Sequence, residues 1–234
     1  MTATRPPASD RRARAGSSTP SPAGSVGHDD SHDDARDEGS GDRRVGMGLV
    51  VGGAVGLGAA FALAVEGHRL LADPEYVPTC SVNPVLSCSS VMQSPQAELF
   101  GFPNPFLGLV GFTVVLVTGV LLAGGLRPPA WFWGGLQVGV AAAVVFVHWL
   151  IASSLYRIGA LCPWCMVVWA VTIPLFVAVS LRNLTALGDR LPLQVVATAT
   201  AVRRQQSVLV TVWFLAVATL VAERFWWYWS TLLG

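Results

Sequence analysis

Val45–Val65 contains no charged side chain, and neither does Gln205–Ala222. Runs of this length and character constrain the chain more than any other feature. A helix needs about 20 predominantly apolar residues to cross about 30 Å of hydrocarbon. Five such spans are predicted, roughly at 45–70, 104–126, 131–157, 162–182 and 206–230. Lipid offers the backbone no water, so each span must satisfy its own N–H and C=O groups, and a helix does so within one segment. Membrane β-strands would read as short alternating segments, whereas these runs are continuous. Only 12% of the residues are charged, about half the usual share of a soluble domain. A soluble core and a nucleic-acid binder are thereby excluded. The expected fold class is all-α and integral to the membrane.

The net charge of +1 conceals an asymmetry. Residues 1–44 hold 7 of the 15 basic residues and 8 of the 14 acids, and every basic residue is Arg. This segment is polar and lacks apolar periodicity, so it is expected to be a disordered cytoplasmic tail. Arg11, Arg12 and Arg14 make no export signal, because no apolar stretch follows closely. The His28–Asp34 run reads either as a weak metal site or as a solvated linker. Arg43, Arg44, Arg127, Arg182, Arg190, Arg203 and Arg204 fall on one side of the spans, against Arg69, Arg157 and Arg224 on the other. The positive-inside rule then predicts a cytoplasmic N-terminus and an outer C-terminus. Trp131 and Trp133 are expected at the inner interface, and Trp226, Trp227, Tyr228 and Trp229 at the outer one.

On this topology all four cysteines face outward. Cys80 and Cys88 lie in the 72–103 loop, and Cys162 and Cys165 at the short link near 158–162. Cys162-Pro163-Trp164-Cys165 is a C-x-x-C at a predicted helix start, with Gly159 ending the helix before it. Pro163 suits the first helical position and leaves Cys162 as the N-cap. There the helix dipole lowers a thiol pKa and favours a reactive thiolate. The motif reads as redox-active, with metal binding and plain packing as the other readings. Cys80 and Cys88 are expected to be oxidised outside the cytoplasm, either as a staple or as a partner in thiol–disulfide exchange. No haem, iron–sulfur or dinucleotide motif supplies an electron acceptor. Within a membrane the expected two-electron carrier is a lipid-soluble quinone, held in an apolar pocket near Cys165.

These residues resemble the vitamin K epoxide reductase family. The likeness spans roughly 45–185 and rests on Cys80-x7-Cys88, Ser89–Ser94, Phe100-Gly101, Asn104-Pro105-Phe106-Leu107-Gly108 and Cys162-Pro163-Trp164-Cys165, in that order. The resemblance implies a four-helix bundle around a quinone, with the loop over 72–103 and with 186–234 left as a cytoplasmic linker and fifth transmembrane helix. It implies that Cys80 meets a dithiol partner, that Cys88 exchanges with Cys162, and that Cys165 lies nearest the quinone. Asn104 matches an asparagine that contacts a quinone oxygen. It is also expected to cap the second helix through its side-chain oxygen, leaving its NH₂ free to donate. Trp169 stands where some members have a quinone-contacting Tyr. Trp169, Thr172 and Phe176 share the face of Cys165 and are expected to line the pocket, with Ser94 counted among the cofactor contacts.

Bacterial members promote disulfide formation outside the cytoplasm, so the chain is expected to be a quinone-dependent thiol oxidoreductase of the cell membrane. Its expected partner is a separate thioredoxin-fold, DsbA-like protein, and no metal is expected. The Arg-only, Ala- and Val-rich usage points to a high-GC bacterium and to menaquinone. A DsbB-type oxidase would carry its cysteine pairs in the reverse order. The alternative from another class is a metal-binding or transport protein using the four thiols, and a third is a structural protein with two inert disulfides. His148, deep in the third span, reads as a neutral imidazole bonded to another helix or as a proton route. Glu66, His68 and Arg69 read as an interfacial polar cluster. Ser94–Phe100 is expected to form a short capped helix, with Leu99, Phe100 and Phe102 dipping into the bundle mouth.

Overall fold

The computed structural model describes residues 30–187 and 193–233. The chain divides into two compact units, Met1–Arg36 and Asp37–Gly234. Of the first, only the start of a helix falls within the described residues. Among the described residues eight α-helices follow one another: α1 (Asp30–Ala72), α2 (Cys88–Met92), α3 (Pro105–Ala123), α4 (Ala130–Ser153), α5 (Pro163–Ala186), α6 (Leu193–Arg204), α7 (Gln206–Arg224) and α8 (Trp226–Leu233). Five described helical stretches are long and apolar enough to cross a bilayer: Gly41–Ala72, Pro105–Ala123, Ala130–Ile158, Pro163–Ala186 and Gln206–Arg224. The protein is an all-α, multi-pass membrane protein.

Three boundaries differ from the sequence reading. Helix α1 extends back to Asp30, into the segment expected to be disordered, because a helix that is already nucleated extends cheaply through residues with no Pro. Residues 1–29 lie outside the described residues, and so do the side chains of the His28–Asp34 run. The expected linker contains α6. The fifth span stops at Arg224, where Phe225 breaks the helix at φ −104° and ψ 20° before α8 begins. Arg190, used in the orientation argument, lies outside the described residues.

Glycine allows α1 and α3 to approach closely. A Cβ on Gly119 would stand 2.6 Å from the Val50 nitrogen and 2.8 Å from the Gly46 oxygen, and one on Gly53 would stand 2.8 Å from the Leu116 nitrogen. In lipid, where apolar burial drives little, such backbone proximity is a main source of helix association. The core above it joins α1, α3, α4 and α5 through Leu49, Phe112, Val115, Leu136, Val140 and Val179. At that end of the bundle Trp133 is buried rather than interfacial: the Arg182 guanidinium lies 3.6 Å from its ring centroid, a cation–π contact that covers the ring. Trp131 remains exposed.

Gly119→Ala should lower the thermal midpoint, at a cost of about 1–3 kcal/mol for overpacking. Gly48→Ala, where a Cβ meets nothing within 4 Å, should leave the midpoint unchanged or raise it. Thermal unfolding in detergent with both variants checks this, and equal midpoints would contradict the close-approach account.

Candidate active site

Two local folds bring the cysteine pairs together. In the loop, Asn83 Oδ1 accepts from the amides of Val85 (2.9 Å) and Leu86 (2.7 Å), tightening a turn. Ser87 then N-caps α2, accepting from the Ser90 amide at 3.3 Å, so Cys88 opens that helix. On the other side, α4 passes into a π-helical turn over Ser154–Ile158 that ends at Gly159, in the left-handed region at φ 72°. The chain then runs extended into Leu161. The Leu161 amide donates to the Val85 carbonyl at 2.7 Å, and the Ser87 amide donates to the Leu161 carbonyl at 2.9 Å. This parallel bridge, Leu86 to Leu161, fixes the register of two segments that each lead directly to a cysteine.

The bridge leaves Cys88 Sγ 3.0 Å from Cys162 Sγ. Cys80 and Cys88 form a disulfide with Cα atoms 5.6 Å apart, while Cys162 and Cys165 are free thiols. The Cys80, Cys88 and Cys162 sulfurs all lie within 4.8 Å of one another and are buried. Such spacing could suit a metal, but two of the three sulfurs are spent on a bond and only thiolates ligate well. A thiol beside a disulfide is instead the reactant pair of exchange. The resemblance implies exchange of Cys88 with Cys162, and the two sulfurs are already in contact.

Cys162 sits at the N-cap of α5 with Pro163 at the first helical position, as the sequence predicts. A hydrogen bond from the Cys165 thiol, helped by the backbone amides of Cys165 and Trp164, holds the Cys162 pKa below the ordinary thiol range despite burial. Those amides are the unpaired donors of the first helical turn.

Cys165, one turn on, borders an apolar cavity of about 670 Å³, and Ser94, Asn104, Trp169 and Thr172 line the same cavity. Its size falls within the range of small-molecule sites. Phe176 does not line it; Leu175 takes that place. Ser94 and Thr172 donate their hydroxyls to the Val91 and Val168 carbonyls, at 2.6 and 2.7 Å, which leaves their oxygens only as acceptors toward a ligand.

Asn104 behaves in the opposite way to the capping expectation. Its backbone is already helical at φ −53° and ψ −30°, and its side chain makes no cap. Its NH₂ donates to the Gln96 carbonyl at 2.7 Å, while Oδ1 is buried with no partner among the described residues. An N-cap needs an extended backbone, and the turn starting at Pro103, whose carbonyl accepts from Phe106, removes it. The Trp169 indole N–H is likewise buried and unpaired. Buried polar atoms are nearly always paired. Trp133 Nε1 is also unpaired among the described residues but does not border the cavity, whereas Asn104 and Trp169 do and could meet a ligand that donates and accepts.

The short helix between the pairs is a 3₁₀ turn over Pro95–Glu98, without a side-chain cap. All three of its aromatic and aliphatic candidates are exposed; of them Phe100 also borders the cavity and packs on Phe146 at 5.9 Å, while Leu99 and Phe102 do not border it. His148 is bonded to another helix: Trp213 Nε1 donates to its Nε2 at 2.9 Å, and its Nδ1 lies 2.8 Å from the Val144 carbonyl. An indole N–H only donates, so Nε2 carries no proton, and His148 does not line the cavity. Glu66 is more than an interfacial group, since it accepts from Tyr76 (2.9 Å) and from Thr79 (2.8 Å), the residue before Cys80.

The model for the vitamin K epoxide reductase family matches residues 47–180. The chain belongs to that family. The match covers more than half of the chain and contains all four cysteines, the cavity residues and the Leu86–Leu161 bridge. It ends before α6, α7 and α8. Family membership makes the protein a membrane oxidoreductase acting on thiols and disulfides. No curated protein matches the chain.

The Cys165 hydrogen bond generates a pH prediction. It favours the Cys162 thiolate, so removing it must raise the Cys162 pKa. In Cys165→Ala, with the loop pair oxidised, the rate at which Cys162 reacts with a small methanethiosulfonate should reach its plateau at higher pH than in the parent. Mass-spectrometric labelling across pH checks this, and an unchanged or lower midpoint would contradict the assigned donor.

Proposed function

We propose that this family member is a thiol–quinone oxidoreductase that supports disulfide formation outside the cytoplasm. The observation that carries the reading is the 3.0 Å contact between the loop disulfide, at Cys88, and the C-x-x-C, at Cys162, whose other thiol borders an apolar cavity.

The electron path balances as follows. A thioredoxin-fold, DsbA-like dithiol attacks Cys80, and the Cys80–Cys88 bond opens. The partner leaves oxidised, and Cys80 and Cys88 leave as thiols. Cys88 thiolate then attacks Cys162 of an oxidised Cys162–Cys165 pair, releasing the Cys165 thiolate. Cys80 resolves the Cys88–Cys162 bond, restoring the loop disulfide and leaving Cys162 and Cys165 reduced. Two electrons and two protons pass from that pair to a quinone, menaquinone being the expected one, which supplies the oxidising power when bound.

Ser94, Asn104, Trp169 and Thr172 would hold the quinone ring. Trp169 N–H can donate to one oxygen. Asn104 Oδ1 can accept from the hydroxyl that forms on reduction, and the NH₂ hydrogen not used by Gln96 remains a donor. The apolar walls keep water from the thiolates, which strengthens the local electrostatics. The assignment requires the cysteine pairs to face outward, with the N-terminus cytoplasmic and the bilayer that of the cell membrane.

Purified protein given a reduced thioredoxin-fold partner should reduce menaquinone. Cys165→Ala and Cys162→Ala should both lose turnover by at least about 10³-fold, since removing a member of a catalytic unit costs on that order. Quinone absorbance follows the reaction, and full activity in either variant would refute the relay. For orientation, an alkaline-phosphatase fusion after Gly234 should be active and one near residue 190 inactive; the reverse pattern would turn every cysteine to the wrong side.

A further inference from the structure

We propose that the fifth membrane helix, which lies outside the family match, is part of the redox site, and that Phe225 is a positioning residue for the Cys88–Cys162 contact. The inference rests on the relay above.

Phe225 is 1% exposed. It is buried in one apolar cluster with Val85, Leu161 and Trp169, together with Val147, Ile151 and Leu155. Val85 and Leu161 are the residues whose backbone groups bond to form the bridge, and Trp169 borders the cavity beside Cys165. Phe225, from beyond the four-helix part, is therefore buried within the cluster that supports both the exchange contact and the pocket wall, while Tyr228 and Trp229 of α8 pack against it.

The remainder of α7 is built to deliver it. Trp213, Val217 and Val221 pack on the same cluster and recur every four residues up to Phe225, which places them on one helix face. Two polar bonds fix rotation and height. Trp213 donates to His148 on α4, and interhelical hydrogen bonds of this kind hold membrane helices together. Arg224 Nε donates to the Leu155 carbonyl at 2.9 Å, within the π-helical turn. A π-turn disturbs the regular carbonyl ladder and is often found at functional sites. The helix break at Phe225 turns the side chain inward as α7 gives way to α8.

Exchange is sensitive to such support. Sulfur must approach sulfur closely, and a misplacement of about 1 Å can cost 10²-fold in rate. Phe225→Ala leaves a hole in the cluster that holds Val85 and Leu161, and the cluster can relax into it at the expense of the bridge. The loop disulfide is insulated from this, because both of its cysteines belong to one loop.

The test uses the full-length Cys80→Ala, Cys165→Ala chain. Neither Cys80 nor Cys165 can then resolve a Cys88–Cys162 bond, so oxidation should trap it, and peptide mapping reads the yield against time. Adding Phe225→Ala should slow trapping by about tenfold or more, assayed well below the thermal midpoint of each variant. In the chain retaining all four cysteines, Phe225→Ala should leave Cys80–Cys88 oxidation unchanged, whereas a general loss of structure would alter both. Phe225→Leu, which keeps most of the apolar volume, should restore trapping to within about threefold of the parent and keeps the test usable if the alanine variant does not fold. Equal trapping rates with and without the ring would overturn the positioning role while leaving the relay intact. A parent that does not trap at all would overturn the relay, and the positioning role with it.

Discussion

Two backbone hydrogen bonds, from Leu161 to Val85 and from Ser87 to Leu161, hold the site together. Main-chain bonds fix the register of the two segments in a way that non-directional apolar contacts cannot, and each segment leads directly to a cysteine. The bridge is short, so it contributes little stability by itself and depends on what surrounds it. The Asn83 turn shapes one bridging segment, the π-turn and Gly159 deliver the other, and a buried apolar cluster packs around both. Each element is ordinary on its own. Their joint effect is to make a sulfur–sulfur contact between residues 74 positions apart in the chain.

That contact divides the labour among the four sulfurs. Cys80 and Cys88 share a bond, Cys162 is stabilised as thiolate by Cys165 and by the first-turn amides, and Cys165 alone borders the cavity. A thiolate that is too stable is a poor nucleophile, while one left protonated is none at all; the favourable compromise is a pKa near the ambient pH. Donation from a neighbouring thiol, rather than from a fixed cation, makes the stabilisation conditional. It exists while the C-x-x-C is reduced and disappears when those two sulfurs bond to each other.

Much of this was legible in the sequence, because the features concerned are local. The uncharged runs set the spans, Gly159 and the Cys162-Pro163 pair set a helix end and a helix start, and the cysteine spacing with its flanking motifs pointed to the family. What could not be read was pairing across distance. Nothing in Val85 or Leu161 announces a bridge, since two apolar residues in irregular segments carry no period. Asn before Pro suits a cap, but the preceding turn at Pro103 takes the Asn104 backbone into helix. Trp133 carries no local sign that Arg182, far on in the chain, covers its ring. The residues of α7 read as one more span, because an apolar helix shows no preferred face when lipid and protein are equally apolar.

Helix α7 is lipid-exposed along much of its length, and residues such as Val208, Val212 and Leu215 face outward. In lipid, burying an apolar face brings little of the gain that it brings in water, so the docking of such a helix must come from shape and from a few polar bonds. His148 and Arg224 are the polar ends of those bonds, and both tie to α4 or to its π-turn. The His148 imidazole lies within the α4 span, where it would be costly to leave unpaired in hydrocarbon, and α7 supplies its donor through Trp213. The bond orients a helix whose C-cap residue, Phe225, enters the packing around the exchange contact. On that argument the four-helix part supplies the chemistry, and the fifth helix holds one wall of it still.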